Sequence, residues 1–269
     1  MVELCDYTAV IRTNRADELL DRVVASLRRQ SIPPSDIIFV DSSGDEQTHA
    51  TLQTMGRVVR YAGEFNYAKA INLGIGAVRT PFALMISSHT VPMADDLIER
   101  GWHEAQRVSA RIIYWSPPPP DTSVAQRFDI IDAKSYTGRN GLSNSFGMIE
   151  TGEALRYPFR EDVFASEDQE WAKRYLGRHP AAKIVGVITT DIAYENRGAA
   201  AKGVLLEKYI QQELAHLLFT ARRSKIPAML LSRMARSALA LSRGRMERAR
   251  GHAAIVSRYL RHRAGLTKS

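Results

Sequence analysis

Hydrophobic and polar positions follow two rhythms along the first two thirds of the chain. Tyr7–Thr13 is a short β-prone run, and from Asp17 to Arg29 the residues Leu19, Leu20, Val23, Val24 and Leu27 recur at helical spacing. Pro33 and Pro34 end that helix. Ile37–Val40 is then almost unbroken in its apolar character, the pattern of a strand buried on both faces of a parallel sheet. The alternation continues with a short helix over Gln47–Met55, a strand over Arg57–Tyr61 and a helix over Phe65–Val78. A strand over Pro81–Ile86, a helix over Ala94–Ala105 and a strand over Arg111–Trp115 follow. Four prolines, Pro117–Pro120, stop the pattern, and Asp121–Leu142 is polar, contains glycine and shows no assignable element. A long loop of this kind in a compact domain is usually functional or mobile. Ser143–Ile149 re-enters as a strand, Ser166–Leu176 reads as a helix and Ile184–Ile188 as another strand. From about Ala200 the pattern is helical to the end, interrupted at Pro227 and Gly244.

Strands that alternate with helices through short loops predict an α/β fold, a mostly parallel sheet with helices on both faces. Ligands of such sheets bind outside the C-terminal ends of the strands. Thr13–Arg15, Asp41–Gly44 and Ser87–Thr90 therefore belong to one rim.

Composition narrows this further. With 269 residues, 45% hydrophobic and 25% charged, the chain is neither disordered nor a disulfide miniprotein. One large α/β domain, alone or with an appendage, fits the length. The single cysteine, Cys5, permits no internal disulfide and fits a reducing compartment. Met1–Asp6 has no basic and apolar regions of a secretory leader, so a cytoplasmic protein is expected. The most apolar stretch, Ala228–Ser242, is broken by Arg233 and Arg236, so no spanning helix is expected.

Charge divides the chain. Of the formal net charge of +8, residues 200–269 hold 15 Lys/Arg against 3 Glu, a net of +12, which leaves −4 for the first 199. The expected organisation is a domain over 1–199 and a basic helical C-terminal extension over 200–269. In the extension, Leu205, Leu206, Tyr209, Ile210, Leu214, Leu217 and Leu218 form an apolar stripe, and arginines punctuate Met229–Leu241. Such helices suit the surface of an anionic membrane, or they pack on the α/β domain or on a second subunit. Nucleic acid is disfavoured as the partner: Tyr259 is the lone aromatic after Phe219, and no binding motif is present.

Several residues at the rim have chemistry to offer, each beside a plainer role. Asp41 closes a buried strand before Ser42-Ser43-Gly44; it suits a hydrogen bond to a base or ribose, or a turn. Thr13-Asn14-Arg15 suits a helix entry capped by Asn14 or Thr13. Lys69 and Asn72 share a helix face, where a cation and an amide could hold a phosphate or simply be wet. His89, at the end of a strand, suits a transition-metal ligand or a phosphate contact as well as a structural role. In Ser166-Glu-Asp-Gln-Glu-Trp171, Ser166 and Gln169 fit a capping box, while Asp168 suits a general base. Trp171 suits a sugar stack or the core. No Walker loop, HExxH, CxxC, GxSxG or GxGxxG occurs.

Taken together, five segments resemble glycosyltransferase family 2, in a rhamnosyltransferase-like flavour. They are Val10-Ile-Arg-Thr-Asn-Arg15, Ile37-Ile-Phe-Val-Asp-Ser42, Phe65-Asn-Tyr-Ala-Lys-Ala-Ile-Asn-Leu-Gly74, Leu84-Met-Ile-Ser-Ser-His-Thr-Val-Pro92 and Glu167-Asp-Gln-Glu-Trp171. The resemblance covers about residues 5–200. It implies the GT-A fold, a Rossmann-like nucleotide-binding domain, and inverting transfer of a sugar from a nucleotide-diphosphate donor to a glycan or lipid-linked acceptor. By the same resemblance Thr13, Arg15 and Asp41 hold the nucleoside, and Lys69 and Asn72 lie near the diphosphate. Asp168 is the catalytic base, Glu167 and Trp171 shape the acceptor side, and Ser143-Asn144-Ser145 faces the acceptor.

Two departures bear on metal. Where the family carries an Asp-x-Asp element that binds manganese or magnesium, this chain has Ser87-Ser88-His89. His89 would then serve as ligand, or Lys69 and other cations would replace the ion. The stretch Ile192–Arg197 also lacks the family's late histidine, with Glu195 as the substitute there. A sugar nucleotidyltransferase and a degenerate, nucleotide-binding scaffold of the same fold are the alternatives.

Overall fold

The computed structural model describes residues 5–119, 126–195 and 202–265. The expected boundary at 199/200, the late residues Asn196 and Arg197, and Pro120–Ala125 of the long loop lie outside the described residues.

Tyr7–Thr13 (β1) is buried at all seven positions and pairs in parallel with Asp36–Asp41 (β2) and Phe82–Ser87 (β4). Beyond β2 lies Arg57–Arg60 (β3), also parallel. On the other side follow Phe146–Glu150 (β8), Ile112–Ser116 (β6), Ile184–Thr189 (β9) and Gln126–Ile131 (β7), giving the order β3-β2-β1-β4-β8-β6-β9-β7. The parallel expectation holds for β1–β4 and for β6 with β9. β8 runs antiparallel to both β4 and β6, and β7 antiparallel to β9. Thr90–Pro92 (β5) and Ile192–Tyr194 (β10) form a separate antiparallel ribbon.

Alternate side chains of each strand feed two apolar layers. Ile11, Phe39 and Leu84 meet helices Glu18–Arg28 (α1) and Leu97–Val108 (α4) on one face. Val10, Val40 and Met85 share the other with helix Tyr67–Gly76 (α3), helix Thr151–Arg156 (α5) and helix Glu167–Arg178 (α6). α3 rides close to the sheet at Gly74, where a Cβ would stand 2.4 Å from Val10 Cγ1 and 2.7 Å from Val40 Cγ2.

Helix entries at the rim are capped by side chains that satisfy otherwise orphaned N–H groups. Asp17 caps α1 through Leu20 N at 3.1 Å, Asp45 caps helix Glu46–Met55 (α2) through Thr48 N at 2.7 Å, and Asn66 caps α3 through Lys69 N at 2.9 Å. The cap of α1 is thus Asp17, not Thr13 or Asn14: the Thr13 hydroxyl is spent inside its own turn, donating to Arg15 O at 2.7 Å.

The C-terminal region comprises Lys202–Ala215 (α7), a π-helical turn at His216–Thr220, Ile226–Ser242 (α8) and Met246–Arg263 (α9). Pro227 stands at the start of α8, where its missing N–H costs nothing. Gly244, at φ +66°, makes the turn into α9. Ile210, Leu217 and Ile255 form a small core of their own, and no helix among the described residues is long and apolar enough to cross a membrane.

Candidate active site

The C-terminal ends of β1, β2 and β4 lie side by side, with Thr13 opposite Asp41 and Arg12 opposite Ser87 in register. Asp41 is buried and both its carboxylate oxygens are hydrogen-bonded: Oδ1 accepts from Ser43 N at 2.9 Å and Ser43 Oγ at 2.6 Å, and a 2.9 Å hydrogen bond joins Oδ2 to His49 Nδ1. Burial alone would raise its pKa, but the bonds from Ser43 and His49 hold the carboxyl below the ordinary range.

Beside this edge opens a cavity of about 540 Å³. Its strand side carries Arg12, Ser87 and His89, and its opposite wall carries Glu167 and Asp168 from the first turn of α6. Lys208, Gln211 and His216 reach in from α7 and the π turn. The C-terminal region therefore covers the cleft.

Asn144 ties these walls together. Its carbonyl accepts from Arg12 Nη2 at 2.7 Å, its N–H donates to Asp168 Oδ2 at 3.0 Å, and its side-chain amide donates to Glu167 Oε1. Asp168 also accepts from Gln169 N at 2.8 Å. The Gln169 side chain accepts from Gly141 N at 2.9 Å and donates to Leu142 O, fastening the 141–144 segment to α6. The expected capping box is therefore absent. Ser166 sits in the left-handed region at φ +58° with no side-chain cap, and Gln169 turns to the loop instead. A non-glycine residue held there costs free energy, a pattern concentrated at functional sites.

Burial raises the pKa of both carboxyls, and the Asp168 charge pushes Glu167 up further, to about 7. Asp168 accepts two backbone N–H bonds that favour its charged form, whereas Glu167 is buried with one amide donor. The two N–H bonds thus favour the charged form of Asp168 against its burial, while Glu167 is pushed toward its protonated form.

Other expected residues fall elsewhere. Trp171 is fully buried, stacks between Phe159 and Tyr175 and donates Nε1–H to Tyr157 O at 2.7 Å, so no sugar reaches it. Asn72 turns both ends of its amide to the Phe159 backbone, donating to O at 2.8 Å and accepting from N at 2.9 Å. The Lys69 ammonium lies over the Tyr61 ring, and neither Lys69 nor Asn72 lines the cavity. Ser143 borders a second cavity of about 300 Å³, which shares Ser145 and Tyr194 with the first. Thr13, Arg15 and Asp41 do not line the cavity either, and Arg15 is exposed just beyond the end of β1. Glu195 pairs with Arg22 at 2.7 Å and does not enter the cavity.

Sequence reasoning passed over Arg12, Lys208 and His216. Arg12 had a signal: a charged residue on an inward position of an otherwise apolar strand. Lys208 and His216 had none, because only the folded path of α7 brings them to the rim. His216 is held neutral, its pKa lowered to about 4 by burial and by Arg139.

A divalent ion fits these residues poorly. Magnesium and manganese favour oxygen donors, above all carboxylates. The end of β4 offers two serines and His89, and His89 faces the cationic Arg12 and Lys208. Among the described residues no cluster of three or more His, Cys, Asp or Glu is placed to hold a metal.

The mixed sheet of this order, with helices on both faces, has the GT-A fold. The chain belongs to glycosyl transferase family 2, whose sequence pattern matches residues 8–156. No curated protein matches it significantly. Among solved structures it is similar to a mannosyltransferase, PcManGT from Pyrobaculum calidifontis, in complex with GDP-Man and Mn2+ (14% identity, 94% of this chain and 86% of that one, TM-score 0.65). It is similar as well to S. aureus TarS 1-349 (12% identity, 97% and 92%, TM-score 0.57). A third is glucosyl-3-phosphoglycerate synthase from Mycobacterium tuberculosis with Mg2+ and UDP (12% identity, 80% and 79%, TM-score 0.58).

Proposed function

We propose that this glycosyltransferase moves a hexose or deoxyhexose from a nucleotide-diphosphate donor to a hydroxyl of a glycan or lipid-linked acceptor, with inversion. The motif pattern favours the rhamnosyltransferase-like branch, in bacterial surface polysaccharide synthesis. The observation that carries the reading is the Asp168 carboxylate, half-buried in the cavity and fixed by Asn144 N and Gln169 N. Burial raises its pKa, the two N–H donors offset part of that rise and favour the ionised form, and the same bonds aim the base at an attacking hydroxyl.

In the reaction the acceptor O–H proton passes to Asp168 while that oxygen bonds to the sugar's C1. The bond from C1 to the phosphate oxygen breaks on the opposite side, and its electron pair leaves on the diphosphate. A single displacement of this kind needs no covalent nucleophile. Thr13, Arg15 and Asp41 serve the nucleoside, in keeping with their shared edge of the sheet. Glu167 and Asn144 border the reacting sugar, Asn144 by orienting both carboxyls. The extension over 200–269 closes the cleft through α7. It also leaves Leu231, Met234 and Leu241 exposed along one face of α8, a stripe suited to a membrane surface, with Arg236 and Arg243 exposed on another face of that helix. The stripe supports a site of action at the inner face of the cell membrane, near a lipid-linked acceptor.

A nucleotide-release assay with a panel of nucleotide sugars tests the reading. Asp168→Asn should lower turnover roughly a hundred- to ten-thousandfold and leave donor affinity within a few-fold. An unimpaired Asp168→Asn protein would reject Asp168 as base, and a wild-type protein that binds donors without turnover would favour the scaffold reading.

A further inference from the structure

We infer that this transferase seats the donor's diphosphate on side-chain cations, Lys208 of α7 and Arg12 of β1, in place of a divalent ion. The inference rests on the donor reading above and deepens it. Both side chains line the same cavity as His89, at the end of β4. The Arg12 guanidinium is buried, and Nε and Nη1 have no hydrogen-bond partner; only Nη2 is satisfied, by Asn144 O. A desolvated cation with unspent donors is costly to fold around and is relieved by an anion. Glu167 and Asp168 attract it across the cavity, yet neither makes an ion pair with it, and both are already held by Asn144. Lys208 is exposed and forms no ion pair among the described residues, so its charge is available to a ligand.

The same two charges argue against a metal at this strand end. A divalent ion beside His89 would face the positive charges of Arg12 and Lys208, with the carboxyls of Glu167 and Asp168 on the opposite wall and held by Asn144, whereas a diphosphate at this end is attracted by both cations. Negative charge grows on the diphosphate as the C1–O bond breaks, so cations fixed there act most strongly in the transition state. The family pattern ends at residue 156. Lys208 thus lies beyond the matched region, in the basic extension, which assigns the extension a chemical task.

Isothermal titration of UDP and GDP into the full chain tests this, in EDTA and again with Mn2+. The preferred nucleotide should bind in EDTA within about threefold of its affinity with Mn2+. Lys208→Gln, at an exposed position, should keep its Tm and bind that nucleotide roughly tenfold more weakly. Lys208→Arg should retain most of the affinity, and the parent nucleoside should bind both variants like wild type. Arg12→Met should weaken the diphosphate likewise. Binding that vanishes in EDTA and returns with Mn2+ overturns the inference and leaves the donor reading standing. Unchanged affinity in Lys208→Gln also overturns it. No binding of UDP or GDP in either condition overturns both.

Discussion

Asn144 joins a strand, a loop and a helix through its own three polar groups, and the two carboxyls it holds are adjacent in sequence, Glu167 buried and Asp168 half-buried. Two such groups cannot both ionise cheaply near neutrality. Glu167 keeps its proton up to about 7 in the folded chain, well above the ordinary carboxylate range. Folding therefore favours the protonated form. The stability this contributes is complete below the unfolded-state pKa and is lost as the pH climbs through the raised value. Glu167→Gln, neutral at every pH, escapes that loss. Its Tm should gain on the wild type by roughly 2–4 °C between about pH 5 and pH 8. A gap that stays constant across this range would show that the fold does not retain the Glu167 proton.

At the scale of elements, α3 is held to the segment after α5 by the paired bonds between Asn72 and the Phe159 backbone. Asn72→Ala would leave a donor and an acceptor of Phe159 unpaired, at a cost of about 2–3 kcal/mol. Chemical denaturation should register that loss, while affinity for UDP or GDP stays within about twofold. A selective loss of nucleotide affinity would instead return Asn72 to the diphosphate. The helices and the parallel strands were legible because burial on one or both faces writes a period into the sequence. Strand direction was not: Phe146–Glu150 is apolar whichever way it runs, and its antiparallel course follows from the connection that delivers it. β7 escaped notice as an edge strand with Arg127 and Asp129 among its six residues, and β5 and β10 are three residues long. The Glu-Asp pair was visible as adjacent carboxyls, and its lock on Asn144 was not, because 24 residues separate Asn144 from Asp168. Trp171 misled because helical spacing alone does not say which face of α6 meets the core.

Across the whole molecule, an ionic chain runs from Arg139 at the cavity to Glu213 of α7 at 2.8 Å and on to Arg233 of α8. It ties the covering helix to the pair of helices outside it. α8 leaves Leu231, Met234 and Leu241 more than half exposed. If that face meets an anionic membrane, the chain should sediment with phosphatidylglycerol vesicles and much less with phosphatidylcholine ones, and the difference should shrink in salt. Replacing Leu231 and Leu241 by serine should abolish the pelleting without lowering Tm. Equal pelleting before and after the change would discard the membrane contact. A dimer in gel filtration that the same change dissociates would assign the face to a second copy.

Gly138 sits at φ +91° directly beneath the π turn, where a Cβ would come within 2.7 Å of the His216 ring and 3.1 Å of Thr220 O. The loop and the turn above it are thus shaped to one another at atomic tolerance. A chimaera that grafts this tail onto a relative bearing any side chain at the position of Gly138 would lift the tail off its seat and carry Lys208 away with it. The two parts of the chain are therefore free to diverge in sequence only in step.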